Sequence, residues 1–205
     1  MASISRQIGW SQESNLLYQI LNQLSRLTST LFSLKEAATP KYKVYTALLT
    51  QSGGSDELGI QYGDLTIGVT YRIEETSPDS DWTNVGAPNN NVGTYFVATG
   101  TTPNSWGDPG NLRYNTGAPV VTVLENTIGN IWFTYDSVGN YIANSDSLFI
   151  INKTIVYSSI DQFQTTSADS SLTGIISDSI IGYQTFIGGL STNDSVGFIE
   201  IRVYN

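Results

Sequence analysis

Hydrophobic positions near the start of the chain follow the spacing of an amphipathic helix. Over residues 11–39, apolar side chains recur at alternating intervals of three and four residues, which is an a/d seam of about two and a half heptads. The seam consists of Leu17, Ile20, Leu24, Leu27, Leu31 and Leu34. Ser11 is the expected N-cap of the helix. Thr39-Pro40 is the expected stop, because proline cannot continue the helical hydrogen-bond ladder.

The apolar stripe of this helix must be buried against another surface, since a lone helix of this length is only marginally stable in water. It could pack against the rest of the same chain, or against the same helix from sister chains or the groove of a partner. We favour the second, because the seam is narrow and stands at one end of the chain before a sharp proline break. Residues 1–39 are therefore predicted to form a short coiled-coil bundle for oligomerisation. Leucine at both a and d leaves the number of helices open.

From Lys41 onward, apolar and polar residues alternate, which is the period of half-buried β-strands. The alternation is clearest over Leu65–Glu74, and turns that contain Gly, Asn or Pro separate the predicted strands. The other predicted strands are Val44–Thr50, Thr94–Thr99, Pro119–Leu124, Asn130–Tyr135, Tyr141–Ala143, Leu148–Ile151, Thr154–Tyr157, Ile180–Phe186 and Phe198–Tyr204. Roughly ten short strands predict a mainly β fold, with an antiparallel β-sandwich over residues 40–205. Ser158–Ser179, rich in Ser, Thr and Asp, is predicted to be an exposed connection.

Composition narrows the chemistry that this chain can perform. Cys and His are both absent, which excludes disulfides, zinc sites of the His/Cys type, haem or iron–sulfur ligation and Ser-His-Asp triads. Lys and Arg number 9 against 18 Asp and Glu, and the net charge of −9 argues against nucleic-acid binding. No apolar run approaches the length of a membrane span, and the first residues do not resemble a signal peptide. We therefore expect the protein to bind no cofactor, metal ion, nucleic acid or membrane. We also expect it to be synthesised in a cytoplasm.

Without His and Cys, catalysis would depend on paired carboxylates, as it does in glycosidases. Glu74 and Glu75 are adjacent on a predicted strand and therefore point to opposite faces. Asp79 and Asp81 lie two residues apart on a loop, where Asp side chains commonly bond to nearby backbone. A calcium site that combines them with carbonyls of residues 89–91 is the alternative, although this spacing is only a fragment of a calcium loop. The prediction is a solvated turn in a protein that is not an enzyme.

Three of the tryptophans differ in their sequence surroundings. Trp82 and Trp106 stand in loop-like segments beside Asn, Asp and Gly, where flat rings can stack on sugar faces and amides can bond hydroxyls. They are the candidate glycan-contact residues, and the alternative is that both rings plug the ends of the sandwich. Trp132, flanked by Ile131 and Phe133, is predicted to be a core residue, although strand alternation aims it opposite to those neighbours.

Two stretches of the sequence resemble a small β domain that is common in virion proteins of tailed bacteriophages. The first is Val44-Tyr45-Thr46-Ala47-Leu48-Leu49-Thr50-Gln51-Ser52-Gly53, and the second is Ala118–Gly129, followed by Ile131-Trp132-Phe133 and Gly139-Asn140-Tyr141. Residues 54–117 resemble an insertion between the first two strands of that domain. Within the insertion, Leu65–Ile73, Asp81–Ala87 and Ala98–Pro103 resemble a module that recurs in phage fibres and other virion proteins.

Together with the leading helix, the chain is similar to head-fibre and fibre-like structural proteins of crAss-like tailed phages, mainly over residues 40–157. The resemblance implies a non-enzymatic virion appendage, assembled in the host cytoplasm, that forms a homotrimer and attaches to the particle through residues 1–39. It implies β domains that decorate the capsid or adhere to the host, with capsid or other virion proteins and host surface polysaccharide as partners. The family brings no catalytic residues to this chain. The alternatives are a tail fibre or tailspike-type protein and a monomeric carbohydrate-binding module.

Overall fold

The computed structural model describes residues 12–38, 41–51, 54–160, 170–187, 190–191 and 196–205. The chain is mainly β, with one N-terminal helix and three antiparallel sheets in the described part, which confirms the predicted fold class at that level. It divides into two compact units, Met1–Lys41 and Tyr42–Asn205.

The helix predicted from the heptad spacing is present. Helix α1 spans Gln12–Ala38 and has Lys35 in its last turn, where a positive charge interacts favourably with the helix dipole. The predicted cap Ser11 and the predicted stop Thr39-Pro40 lie outside the described residues. No helix in the described part of the chain is apolar enough over a sufficient length to cross a bilayer.

The strands follow α1 in sequence. They are β1 Tyr42–Thr50, β2 Glu57–Ile60, β3 Thr70–Glu75, β4 Tyr95–Val97, β5 Asn111–Asn115, β6 Val120–Asn126, β7 Ile131–Ser137, β8 Asn140–Ser145, β9 Thr154–Ile160, β10 Ser170–Ile175, β11 Ile180–Ile187, β12 Leu190–Ser191 and β13 Val196–Tyr204. A short 3-10 helix, Thr83–Val85, follows β3.

Two sheets share one hydrophobic core. Their strand orders are β6-β1-β13-β9 and β10-β11-β8-β7, with β12 paired to β11. Alternate residues of both sheets are buried together, because successive side chains on a strand point to opposite faces. The buried members are Tyr45, Ala47, Leu49, Val97, Val121, Ile128, Ile131, Phe133, Tyr141, Ala143, Phe149, Ile181, Tyr183, Ile199, Ile201 and Val203. We call these two sheets the main sheets.

The third sheet, in the order β2-β5-β3-β4, is built entirely from residues between β1 and β6. It has its own hydrophobic core, formed by Leu65, Tyr71, Ile73, Trp82, Val85, Ala87, Phe96, Ala98 and Leu112. Residues 54–117 are called the inserted module below. Because Thr50 of β1 pairs with Val120 of β6, the chain leaves the main sheets and returns to them at neighbouring positions.

Contacts of several kinds hold the inserted module against the main sheets. The backbone N–H of Val121 donates to the carbonyl of Gly68 at 2.8 Å. The N–H of Phe133 donates to the Thr70 hydroxyl at 3.3 Å, and the Asn130 amide donates to the Tyr95 carbonyl at 3.0 Å. Val97 of the module is itself part of the main core.

The structure corrects two predicted strands and one predicted connection. The Leu65–Glu74 alternation is a turn followed by β3, because Gly68 has a left-handed φ of +85° and Val69 N–H bonds back to Thr66. Leu148–Ile151 lies between β8 and β9 and forms no strand, although Phe149 is buried. The predicted connection Ser158–Ser179 contains the end of β9 and all of β10, and its residues 161–169 lie outside the described part.

Gly68 provides a test of the junction between the module and the main sheets. A Cβ added there would lie 2.4 Å from the Val121 carbonyl oxygen, whereas one added at Gly63, with φ +97°, meets no atom within 4 Å. Gly63→Ala is expected to destabilise by about 1 kcal/mol through its backbone conformation. Gly68→Ala should cost a further ~1–3 kcal/mol through the clash. Urea unfolding curves of the two variants measure the difference, and equal losses would contradict the close contact.

Candidate functional site

The predicted seam of α1 is exposed in the structure. Leu17, Ile20, Leu24, Leu27 and Leu31 are between 51% and 67% exposed. Leu34 belongs to the helix, but its side chain is outside those that the structure describes. A contiguous apolar stripe of this kind marks an interaction surface, because single exposed apolar residues are common and aligned ones are not.

The polar residues beside the seam direct their hydroxyls to the helix itself. Thr28 and Thr30 donate to the carbonyls of Leu24 and Arg26 at 2.8 and 2.9 Å, and Ser33 donates to Thr30 at 2.8 Å. These hydroxyls are therefore satisfied within the helix. The free energy available to this surface comes from burying its apolar side chains.

Trp82 and Trp106, the predicted glycan contacts, lie against each other in the module. Their rings meet edge to face with centroids 6.2 Å apart. Trp82 is 0% exposed, so its ring has no surface to offer a sugar, and it belongs to the core of the module rather than to a binding face. Trp106 is half-buried, and its indole N–H donates to the Gly63 carbonyl at 3.2 Å.

Asp81 organises the loop that carries Trp82. Its carboxylate accepts hydrogen bonds from the Thr83 hydroxyl at 2.6 Å, the Thr83 N–H at 3.0 Å and the Asn104 amide at 2.8 Å. These bonds, the Thr83 hydroxyl first, hold the pKa of Asp81 well below its usual range. The predicted turn is confirmed for Asp81, and within the described residues no group of three or more Asp and Glu side chains is placed to hold a metal ion.

A cleft that the sequence did not indicate lies where the module meets β7. Its volume is about 310 Å³. It is lined by Glu57, Thr70, Arg72, Tyr95, Arg113, Tyr114, Asn115, Ala118, Phe133, Thr134 and Tyr135, and we call it the arginine cleft. Arg72 of β3 and Arg113 of β5 are directly opposed in the antiparallel register, which places two cations side by side.

Glutamates offset the two cations of the arginine cleft. Arg72 donates to Glu74 at 2.5 Å, and this hydrogen bond is the main cause that raises the pKa of Arg72. Arg113 is held more loosely, with its nitrogens 3.8 Å from Glu74 and 3.9 Å from Glu57. Opposed like charges destabilise a sheet unless they are compensated, so the two carboxylates allow this register.

A second cleft, the tryptophan cleft, has Tyr95 in common with the first. Its volume is about 340 Å³, and it is lined by Pro88, Asn89, Val92, Gly93, Thr94, Tyr95, Asn130, Trp132 and Asp146. The rings of Tyr95 and Trp132 stack with an interplanar angle of 7° and centroids 5.7 Å apart. Trp132 is therefore not the core residue predicted from its neighbours. It is half-buried on the face of β7 opposite to buried Ile131 and Phe133, as the alternation indicates.

Sequence reasoning missed both clefts because their residues come together only by strand register and docking. Arg72 and Arg113 lie on strands that pair across a long loop, and Tyr95 and Trp132 belong to different sheets. One signal was present. Thr70, Arg72 and Glu74 alternate with buried Tyr71 and Ile73, which marks a polar sheet face in a chain with few charges.

The lowered pKa of Asp81 predicts how the stability of the module depends on pH. Because its pKa is lower in the folded protein, its stabilisation is present above the pKa of an unfolded Asp, about 4, and is lost as the pH falls further. Asp81→Asn should therefore lower the melting temperature at neutral pH, and its difference from the wild type should begin to shrink below about pH 4 and continue to shrink as the pH falls toward the lowered pKa of folded Asp81. Asp79→Asn, which removes the same charge from an exposed neighbour, is the control. A difference in melting temperature between wild type and Asp81→Asn that stays the same at all pH values would contradict this role.

Comparison with known proteins does not place the chain in a family. No family model matches it, and no curated protein or solved structure matches it. The features that bear on function are therefore those of the molecule itself, namely the exposed stripe of α1 and the two clefts beside the inserted module.

Proposed function

We propose that this chain is a non-enzymatic structural protein of a tailed-phage virion, a head fibre or related fibre-like appendage. In this proposal, residues 1–39 assemble with sister copies into a short coiled-coil bundle, a homotrimer, and attach the assembly to the particle. Residues 40–205 project as β domains, with the main sheets as the two layers of a β-sandwich and residues 54–117 as an inserted module. The single observation that carries the proposal is the exposed seam of α1.

Burial of the seam supplies the free energy for assembly. Fully burying one Leu or Ile side chain contributes about 1.5–3 kcal/mol relative to leaving it exposed. Five such side chains lie in a row on α1, and a helix in isolation gains little stability from propensity alone. Packing a and d residues of neighbouring helices into each other buries the whole row at once.

The residues beside the seam favour identical helices over a different partner. In a coiled coil, charges at positions e and g select which chains pair. With Leu17 at a, the e and g positions of α1 are Ser14, Leu16, Leu21, Gln23, Thr28, Thr30, Lys35 and Ala37. Lys35 alone among them is charged, so this pattern contains no set of charges that would require an oppositely charged partner helix.

The resemblance to phage fibre proteins supports the virion assignment and the trimer. Low charge, 13% of residues, together with abundant hydroxyl and amide side chains suits a surface that contacts neutral glycans or neighbouring coat subunits. In an assembly of several copies, weak surface contacts add through effective concentration. A tail fibre or tailspike-type protein is the alternative with the same bundle, and a carbohydrate-binding module is the alternative without it.

The bundle is tested by placing charges in the seam. Leu24→Asp with Leu27→Asp should convert the oligomer into a monomer, because buried carboxylates would lose their hydration. Asn22→Asp with Ser29→Asp adds the same charge at f positions away from the seam and should leave the oligomer intact. Sedimentation velocity at micromolar concentration measures both. A monomeric wild type, or an oligomer that survives the seam substitutions, would overturn the bundle.

The virion assignment is tested on the particle itself. Antibodies raised against residues 42–205 should label appendages on purified particles in electron micrographs, at the head for a head fibre and at the tail for the alternative. Their absence from purified particles, with the protein present in infected cells, would contradict a structural role in the virion.

A further inference from the structure

We propose that the arginine and tryptophan clefts together bind a neutral oligosaccharide. Sugar hydroxyls would be held between Arg113 and the carboxylates of Glu57 and Glu74, and a sugar ring would lie against the ring of Trp132 beside Tyr95. This inference rests on the proposed role of the β region in adhesion and names the ligand class and the site for it.

Arg113 is the main donor that the arginine cleft offers to a ligand. Its guanidinium carries five N–H groups and makes no hydrogen bond within the part of the chain that the structure describes. Its side chain is 45% exposed, so a ligand can reach it. Arg72, in contrast, is already hydrogen-bonded to Glu74 and lies over the Tyr95 ring, 5.9 Å from its centroid.

The spacing around Arg113 fits bridging hydroxyl groups. Its Nη1 lies 3.9 Å from Glu57 Oε2, and its Nε lies 3.8 Å from Glu74 Oε2. Both separations are too long for a direct hydrogen bond. A hydroxyl oxygen placed ~2.8 Å from both atoms of either pair would accept from the nitrogen and donate to the carboxylate. Hydroxyl groups do both, whereas a carboxylate or phosphate ligand only accepts.

Charge balance in the cleft favours an uncharged ligand. Arg72 and Arg113 line the arginine cleft with Glu57, and Glu74, which is not part of the lining, forms ion pairs with both arginines, so the four charges balance. The chain as a whole carries a net charge of −9, which repels polyanions. An acidic polysaccharide would meet the carboxylate of Glu57 in this cleft.

The stacked rings provide the apolar part of the site. Tyr95 lines both clefts, and in this proposal a ligand longer than one sugar unit extends past it from Arg113 to Trp132. The Tyr95 ring already has Trp132 stacked on it and Arg72 over it, so the apolar contact with the C–H face of a sugar comes from the half-buried ring of Trp132.

Hydrogen bonds within the chain fix the geometry of the site. The bonds from Phe133 N–H to Thr70 and from the Asn130 amide to the Tyr95 carbonyl fix the module against β7. A preformed cleft avoids the cost of ordering the protein on binding. Volumes of about 310 and 340 Å³ are at the lower end of the range for ligand clefts.

The test is a glycan array that carries neutral hexose, deoxyhexose and N-acetylhexosamine oligosaccharides beside sialylated and uronic-acid glycans. The wild type should bind neutral oligosaccharides of two or more units. Arg113→Gln should lower that signal about tenfold or more, since a charged donor is lost. Lys153→Gln, which removes one exposed positive charge elsewhere on the β region, should leave it unchanged.

Glu57→Gln separates a neutral ligand from an acidic one. It should weaken binding of a neutral sugar, because the amide is a poorer acceptor than the carboxylate, whereas an acidic ligand would bind more tightly once that charge is removed. Binding confined to acidic glycans, no binding to neutral ones, or a signal that Arg113→Gln leaves unchanged would overturn the proposal. Melting curves establish that each variant is folded. Sedimentation of the same samples shows whether the oligomer persists, so a failed cleft and a failed bundle give different results.

Discussion

The β region depends on the burial of strand β1 between the first strand after the inserted module and the last strand of the chain. Tyr45, Ala47 and Leu49 of β1 enter the main core, while the strand pairs with β6 on one side and β13 on the other. Both pairings join residues that are far apart in sequence. Loop closure for such contacts is costly, and the apolar core between the two sheets offsets that cost.

This pairing determines where the inserted module lies. Since β1 and β6 are neighbours, residues 54–117 begin and end at adjacent points, and the module can form its own sheet and core without interrupting the main ones. Its attachment through Gly68, Thr70 and Tyr95 brings the polar face of β3 beside the outer face of β7. The arginine and tryptophan clefts are a consequence of that attachment.

The two candidate surfaces differ in their physical character. The seam of α1 consists of aliphatic side chains on a helix with few charges, and burial by like surfaces is the interaction that suits it. The clefts combine paired charges, stacked rings and an arginine that makes no hydrogen bond within the described residues, which suits a polar ligand of defined shape. An assembly of several chains joined through the seam of α1 presents several copies of the two clefts.

The sequence alone determined the helix, its seam and the mainly β character of the rest. Apolar residues that recur every three to four positions indicate a helix and those that recur every second position indicate a strand, and both patterns are local properties of the sequence. It also indicated the turn role of Asp81, since Asp bonds to backbone within a few residues. It failed at Leu65–Glu74, where alternation continues through the turn at Gly68, and at Trp132, which is only half-buried. It left open whether Trp82 is buried, because burial of a ring depends on what packs over it. Only the tertiary structure decided that Arg72 faces Arg113 and that Tyr95 stacks on Trp132. Those pairs arise from strand register and from docking between sheets, and such long-range contacts leave no local pattern in a single sequence.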